Sequence, residues 1–278
     1  MAPKLARALF SLLLILLWVN LAAADGDLAF LQRAGKVRVA VYGDTPPFSF
    51  VDQNGRHQGF VVNLGRQIAQ DILGSPDAAE FVVVSQAERI AALQSGRADI
   101  VLANLTVTPE RLRLVEFAYP YLKTTIGVVS RGAQIITDAA ALENQTLVVV
   151  EGGTAESFFR GRYPKVRLLK FPDNAEAINA FMNGSGVGLA HDSALLSAWI
   201  KNNPGYVKGI DSVGDVGAVA PAVKLGNLEL SRWLSDEIAD LTKDNFFMRA
   251  YQETLLPVYG PNVDPRTVIF SFDELRMP

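Results

Sequence analysis

The sequence predicts an α/β fold of two similar lobes. Short β-branched runs alternate with helix-period segments almost throughout, the pattern of largely parallel sheets. The order helix, glycine, strand, polar residue, helix occurs twice, at 87–115 and at 174–200. The two copies share little sequence, so the repeat is one of architecture, and two lobes are its natural consequence.

The amino terminus stands apart. Lys4 and Arg7 precede an apolar run of 11 residues, Leu9 to Val19, and a small-residue tract, Ala22-Ala23-Ala24. This is the layout of a secretory signal with cleavage after Ala24, and the run falls well short of the roughly 20 residues of a membrane span. Removing 24 residues leaves 254 of the 278 and takes the net charge from −3 to −5, because both leader cations go. No later stretch is apolar for long enough to span a bilayer, so the expected product is an exported, periplasmic chain.

Val37 to Val41 reads as the first strand and runs into Asp44-Thr45-Pro46-Pro47, where two prolines impose an extended turn. A hairpin follows around Asp52-Gln53-Asn54-Gly55, because Asn-Gly tolerates positive φ. A helix from about Asn63 carries Leu64, Ile68 and Ile72 on one stripe. Phe81 to Val84 is the next strand, and Ser85-Gln86-Ala87-Glu88 forms a capping box for a helix ended by Gly96. Ala98 to Ala103 is a strand, and Thr108-Pro109-Glu110-Arg111 opens a helix with Thr108 as N-cap.

The pattern restarts after Tyr119-Pro120-Tyr121. Strands are expected at Ile126 to Ser130, Thr146 to Val150 and Val187 to Ala190, and helices at Thr154 to Phe159, Asn174 to Met182 and Ser193 to Ile200. Helices over Leu228 to Asn245 and Phe246 to Leu255 close the regular structure, before a tail rich in proline.

Composition narrows the chemistry. Zero cysteines exclude disulfides, thiol nucleophiles and thiolate metal sites, and the acidic balance gives no electrostatic footprint for nucleic acid. With only His57 and His191 present, a histidine-rich metal site is excluded; no metal or cofactor is expected. His57 reads as a solvated turn residue. His191 follows a buried strand beside Asp192, where α/β folds place ligands. The glycines of 184–188 precede their strand, which fails the geometry of a dinucleotide loop. Gly152-Gly153-Thr154 does follow a strand and open a helix, which suits either a carboxylate or simple capping.

Asn104-Leu105-Thr106-Val107-Thr108-Pro109-Glu110-Arg111 is the strongest constellation. Alternate polar side chains follow a buried strand and lead to a guanidinium, which can donate two parallel hydrogen bonds to a small carboxylate. Taken alone, Arg111 would more often be a surface cation, since arginine is mostly exposed.

An ordered set of segments surrounds this site: Pro46-Pro47-Phe48-Ser49-Phe50, Gly59-Phe60, Leu93-Gln94-Ser95-Gly96-Arg97-Ala98-Asp99, Thr106 to Arg111, Phe117 to Tyr121, Gly153-Thr154 and Asp192. From about Lys36 to Leu255 the chain thereby resembles the family 3 extracellular solute-binding proteins, the polar-amino-acid receptors of ABC importers. The resemblance implies a two-lobed periplasmic binding protein fold of type II. Lobe 1 would comprise 25–125 and 217–278, lobe 2 would comprise 126–216, and the hinge would be two strand-like crossings near Leu122 to Val128 and Val216 to Val223. Arg111 would clamp the α-carboxylate with Thr106 and Thr154, and Asp192 would bind the α-ammonium. The Asn104 region would add a backbone contact.

This chain departs from the family where it has Thr45 before Pro-Pro in place of a ligand-stacking aromatic, so Phe60 or Tyr42 would supply that wall. Ser85 to Ile90 is similar to the glutamate/aspartate subgroup, in which Arg89 would take a side-chain carboxylate; a surface helix residue is the alternative. The expected partners are a small amino acid and an inner-membrane ABC permease, with the receptor a monomer. The rival is an enzyme resembling the cyclohexadienyl dehydratases of the same family, with His191 or Glu151 as general acid.

Overall fold

The computed structural model describes residues 27–275; the leader expected at 1–24 lies outside the described residues. In chain order, α1 (Leu28–Ala34) leads to β1 (Val37–Val41), then to three short strands, β2 (Asp44–Thr45), β3 (Ser49–Val51) and β4 (His57–Gln58), which form a small antiparallel sheet. α2 (Phe60–Leu73), β5 (Ala79–Val83), α3 (Glu88–Gln94), β6 (Ile100–Val101) and β7 (Val115–Phe117) complete the first pass through lobe 1.

The chain then crosses into lobe 2 with β8 (Leu122–Arg131), β9 (Thr146–Val150), α4 (Thr154–Arg162), β10 (Arg167–Phe171), α5 (Asn174–Met182), β11 (Gly188–Asp192), α6 (Ser193–Lys201) and β12 (Tyr206–Val219). It returns to lobe 1 through β13 (Ala222–Lys224) and ends in α7 (Leu228–Lys243), α8 (Phe246–Ala250), a π turn over Tyr251–Leu255, α9 (Leu256–Tyr259) and α10 (Phe272–Leu275).

Each lobe is built on a five-stranded mixed sheet. The first has the order β5-β1-β6-β13-β7, with β1 parallel to β5 and β6 and the returning β13 antiparallel to its neighbours. The second has the order β10-β9-β11-β8-β12, parallel at β10-β9-β11 and antiparallel at β11-β8-β12. The crossings are thus the start of β8 and the end of β12, which pair at Leu122 and Val219. Two adjacent strands form the link between the lobes.

The helices cover the sheets as their periodicity requires. α2 buries Phe60, Leu64, Ile68 and Ile72, and α7 buries Leu230, Leu234, Ile238 and Leu241. Phe60, Tyr121 and Phe247 stack within about 6 Å of one another in this core. α2 begins at Phe60, three residues before the sequence suggests, because Gly59 enters at φ 117° with its backbone against Phe48 and Pro47. A Cβ there would sit 2.5 Å from the Phe48 carbonyl oxygen, so only glycine permits that entry.

The helix expected at Thr108 is a single 3₁₀ turn over Arg111–Arg113, with the Thr108 hydroxyl accepting from the Arg111 N–H at 3.3 Å. Among the described residues no helix is long and apolar enough to cross a membrane.

Candidate ligand-binding site

The carboxyl ends of the strands in the two sheets face each other across a cleft, the position at which open α/β sheets gather ligands. There a narrow gap is lined by Tyr42, Gln86, Arg89, Asn104, Thr106 and Arg111 from lobe 1 and by Thr154 and Asp192 from lobe 2. Seven of the eight residues singled out in the sequence come together there.

Arg111 reaches the cavity from its 3₁₀ turn. It donates from Nη1 to the Thr106 carbonyl at 2.7 Å and from Nη2 to the Gly152 carbonyl of lobe 2 at 2.9 Å. Three of its five N–H donors remain. Burial, then the like charge of Arg89, pulls its pKa down to about 10, so a carboxylate here would relieve an unfavourable pair of cations.

Arg89 is 3% exposed, not the surface residue its helix position allows. It donates to the carbonyls of Gln86, Ala103, Asn104 and Gly152 at 2.8–3.2 Å, which occupies four of its five donors. Its guanidinium also lies over the Tyr42 ring, 5.9 Å from the centroid. Burial pushes the Tyr42 hydroxyl up to about 12, so it stays protonated as a neutral wall.

The acceptors are arranged differently. Asp192 occupies the N-cap position of α6, but its side chain does not cap the helix. Asn104 holds a left-handed backbone, φ 43°, and its Oδ1 is buried without a partner among the described residues. Its backbone carbonyl accepts from Arg89 at 3.0 Å. No ion pair among the described residues joins Arg89, Arg111 or Asp192 to any other group. The cavity therefore offers unpaired donors near Arg111 and unpaired acceptors at Asp192 and Asn104, the complement of a zwitterion.

Phe60 does not join the site. Its ring is fully buried between Tyr121 and Phe247, which corrects its expected role as pocket wall and leaves Tyr42 as the aromatic there.

Gln86 was not singled out, because the capping-box pattern absorbs it. The Ser85 N–H does bond Glu88 Oε2 at 2.8 Å, but the loop that makes this bond also turns Gln86 toward lobe 2. A second narrow space continues past Thr154 and Asp192 toward Gln86, Gly153 and His191. Glu151 is exposed and lines neither space.

The model of the bacterial extracellular solute-binding proteins, family 3, matches residues 37–255. The solved solute receptor for L-cysteine of Neisseria gonorrhoeae is 47% identical with a TM-score of 0.86, over 87% of this chain and 99% of that one. The cysteine-binding protein from Campylobacter jejuni is 38% identical with a TM-score of 0.86, over 88% and 98%. The ABC transporter glutamine-binding protein of Bacillus subtilis is 28% identical over 229 residues, 81% of this chain and 83% of that protein.

Proposed function

The chain belongs to the bacterial extracellular solute-binding proteins, family 3, amino-acid receptors of ABC transporters, and from that premise we propose that its ligand is a small neutral amino acid of the size of L-cysteine. The observation that carries the reading is that, among the described residues, Arg111 and Asp192 line the cavity without an ion-pair partner and Asn104 Oδ1 is buried without a donor. Arg111, with the Thr106 and Thr154 hydroxyls, takes the α-carboxylate. Asp192 and Asn104 Oδ1 take the α-ammonium. Each charged hydrogen bond contributes about 1.5–3 kcal/mol.

The side-chain preference follows from Arg89. A dicarboxylic ligand needs a free guanidinium fork, whereas four of the Arg89 donors already hold backbone carbonyls together. The space left is small, which favours a short side chain. The resemblance to the L-cysteine receptors supports the same choice over glutamate or aspartate.

In this reading the protein is exported by cleavage after Ala24 and works in the periplasm as a monomer. Residues 25–125 and 217–278 form lobe 1, residues 126–216 form lobe 2, and the closed form is presented to the permease. Closure is favoured because the ligand contacts both lobes only when they meet. A dehydratase needs a proton donor facing its substrate, but His191 Nε2 is engaged by Asn174 Oδ1 at 2.9 Å and Glu151 lies outside the cavity.

Calorimetric titration with L-cysteine under reducing conditions, L-serine, L-glutamine, L-glutamate, L-aspartate and L-arginine tests the reading. L-cysteine should bind most tightly. Tightest binding of glutamate or aspartate would overturn the side-chain assignment and return Arg89 to ligand contact.

A further inference from the structure

Behind the cavity, a chain of buried polar groups runs from one lobe to the other. In lobe 1, the Thr45 hydroxyl donates to Asp44 Oδ1 at 3.1 Å and accepts from Asn174 Nδ2 of lobe 2 at 2.7 Å. Asn174 Oδ1 lies 2.9 Å from His191 Nε2, and His191 Nδ1 accepts from the Asp192 N–H at 2.6 Å. Gln86 Nε2, from lobe 1, lies 2.8 Å from the same ring nitrogen and donates to Asn174 Oδ1 at 3.4 Å. Thr45, Gln86, Asn174 and His191 are exposed by 1%, 7%, 3% and 6%. Asp44 also accepts from the Ala175 N–H at the start of α5.

Both ends of this chain admit one polarity only. A carboxylate only accepts and a backbone N–H only donates, so each link between them has its direction fixed. The Asn174 amide must present its oxygen to the ring, the ring must carry its proton on Nε2, and Nδ1 must be bare. An imidazolium would set a second N–H against the Asp192 N–H, two donors 2.6 Å apart in a site closed to water.

We infer that Thr45, Asn174, His191 and Gln86 form an interlobe latch that closes only around a neutral His191, so that acidification opens the lobes and releases the ligand. The inference rests on the binding reading above and adds to it a condition on closure that does not involve the ligand's side chain.

The charged groups facing His191 are Asp192 and Asp44, which favour its cation, and Arg89, which opposes it. Burial is the largest influence and lowers its pKa in the closed form. The sign follows. Opening the cleft exposes the ring and restores a pKa of about 6.5. The open form then binds a proton that the closed form rejects, so closure is favoured above that pH and progressively lost below it.

Dissociation constants for L-cysteine, L-glutamine and L-arginine at pH 7.0 and 5.5 test the latch, and any of the three that binds reports on it. With an open-form pKa of about 6.5, affinity should fall about eightfold between the two pH values. His191→Gln should flatten that dependence, and His57→Gln, which alters the other histidine, should keep it. Should His191→Gln fail to fold, ¹⁵N–¹H spectra of the His57→Gln protein leave one ring to follow. That ring should titrate near 6.5 without ligand and remain neutral, protonated on Nε2, at pH 5.5 when ligand is bound. Binding with no change between pH 7.0 and 5.5, an unaltered slope in His191→Gln, or a ring that titrates alike in both states would overturn the latch. If none of the three amino acids binds at either pH, the functional reading falls and the latch with it.

Discussion

Arg111 of lobe 1 donates to the Gly152 carbonyl of lobe 2 at 2.9 Å. The residue proposed to hold the ligand's carboxylate is therefore also a strap across the cleft, and Arg89 reaches the same oxygen at 3.0 Å. Ligand capture and lobe closure are thus coupled through one side chain. Arg111→Lys keeps the charge but loses the fork that serves the ligand and Gly152 together. Loss of one charged hydrogen bond, about 1.5–3 kcal/mol, corresponds to roughly 10- to 150-fold weaker binding by calorimetry. The melting temperature of the unliganded protein should stay within about 2 °C, since the bonds lost lie at a partly exposed cleft.

The loop that carries Gly152 can approach lobe 1 only because its neighbour lacks a side chain. A Cβ on Gly153 would lie 2.7 Å from Gln86 Oε1 and 3.0 Å from the Val150 carbonyl oxygen. Gly153→Ala should therefore obstruct closure. Overpacking of about 1–3 kcal/mol predicts roughly 5- to 150-fold weaker binding, together with a smaller ligand-induced compaction in X-ray scattering.

Asn104 separates backbone strain from ligand contact. Its left-handed φ of 43° suits glycine better than any other residue, whereas its orphaned Oδ1 has a use only if a donor arrives. Asn104→Gly should leave thermal stability unchanged or slightly raised while weakening amino-acid binding by roughly tenfold, about the value of one hydrogen bond to a charged group. Unchanged affinity in calorimetry would remove Asn104 from the ammonium site.

Phe60 should behave as a core residue and Tyr42 as a pocket residue. Phe60→Ala leaves a void between Tyr121 and Phe247 and should lower stability by about 3–5 kcal/mol in urea unfolding. The dissociation constant of the molecules that remain folded should not change.

Much of the fold was legible because its elements carry local signals. Val37–Val41 and Thr146–Val150 are β-branched runs and Asn174–Met182 follows an Asp cap, and all three have the expected bounds. β12 was largely missed. Gly209, Gly214 and Gly217 interrupt its pattern, and its pairing with β8 slips register three times, so tertiary pairing sustains a strand that local preference does not mark. The site residues were legible where a polar group follows a buried strand, as at Asn104, Thr106 and Asp192. Phe60 misled because sequence gives a helix's start but not the turn by which Gly59 directs its first ring into the core. The Thr45–Asn174–His191 chain was invisible for another reason: its members lie 129 and 17 residues apart, and the first pair meets only across the closed cleft.

The central claim is that both charged ends of one amino acid are held between the lobes, the carboxylate by Arg111 and the ammonium by Asp192 and Asn104. Calorimetry of the wild-type protein with L-cysteine, cysteamine and 3-mercaptopropionate tests it most directly, because the two analogues each lack one end and keep the thiol. L-cysteine should bind and each analogue should bind at least roughly 100-fold more weakly, the loss of one or more charged hydrogen bonds. Binding of either analogue as tight as that of L-cysteine would contradict the account.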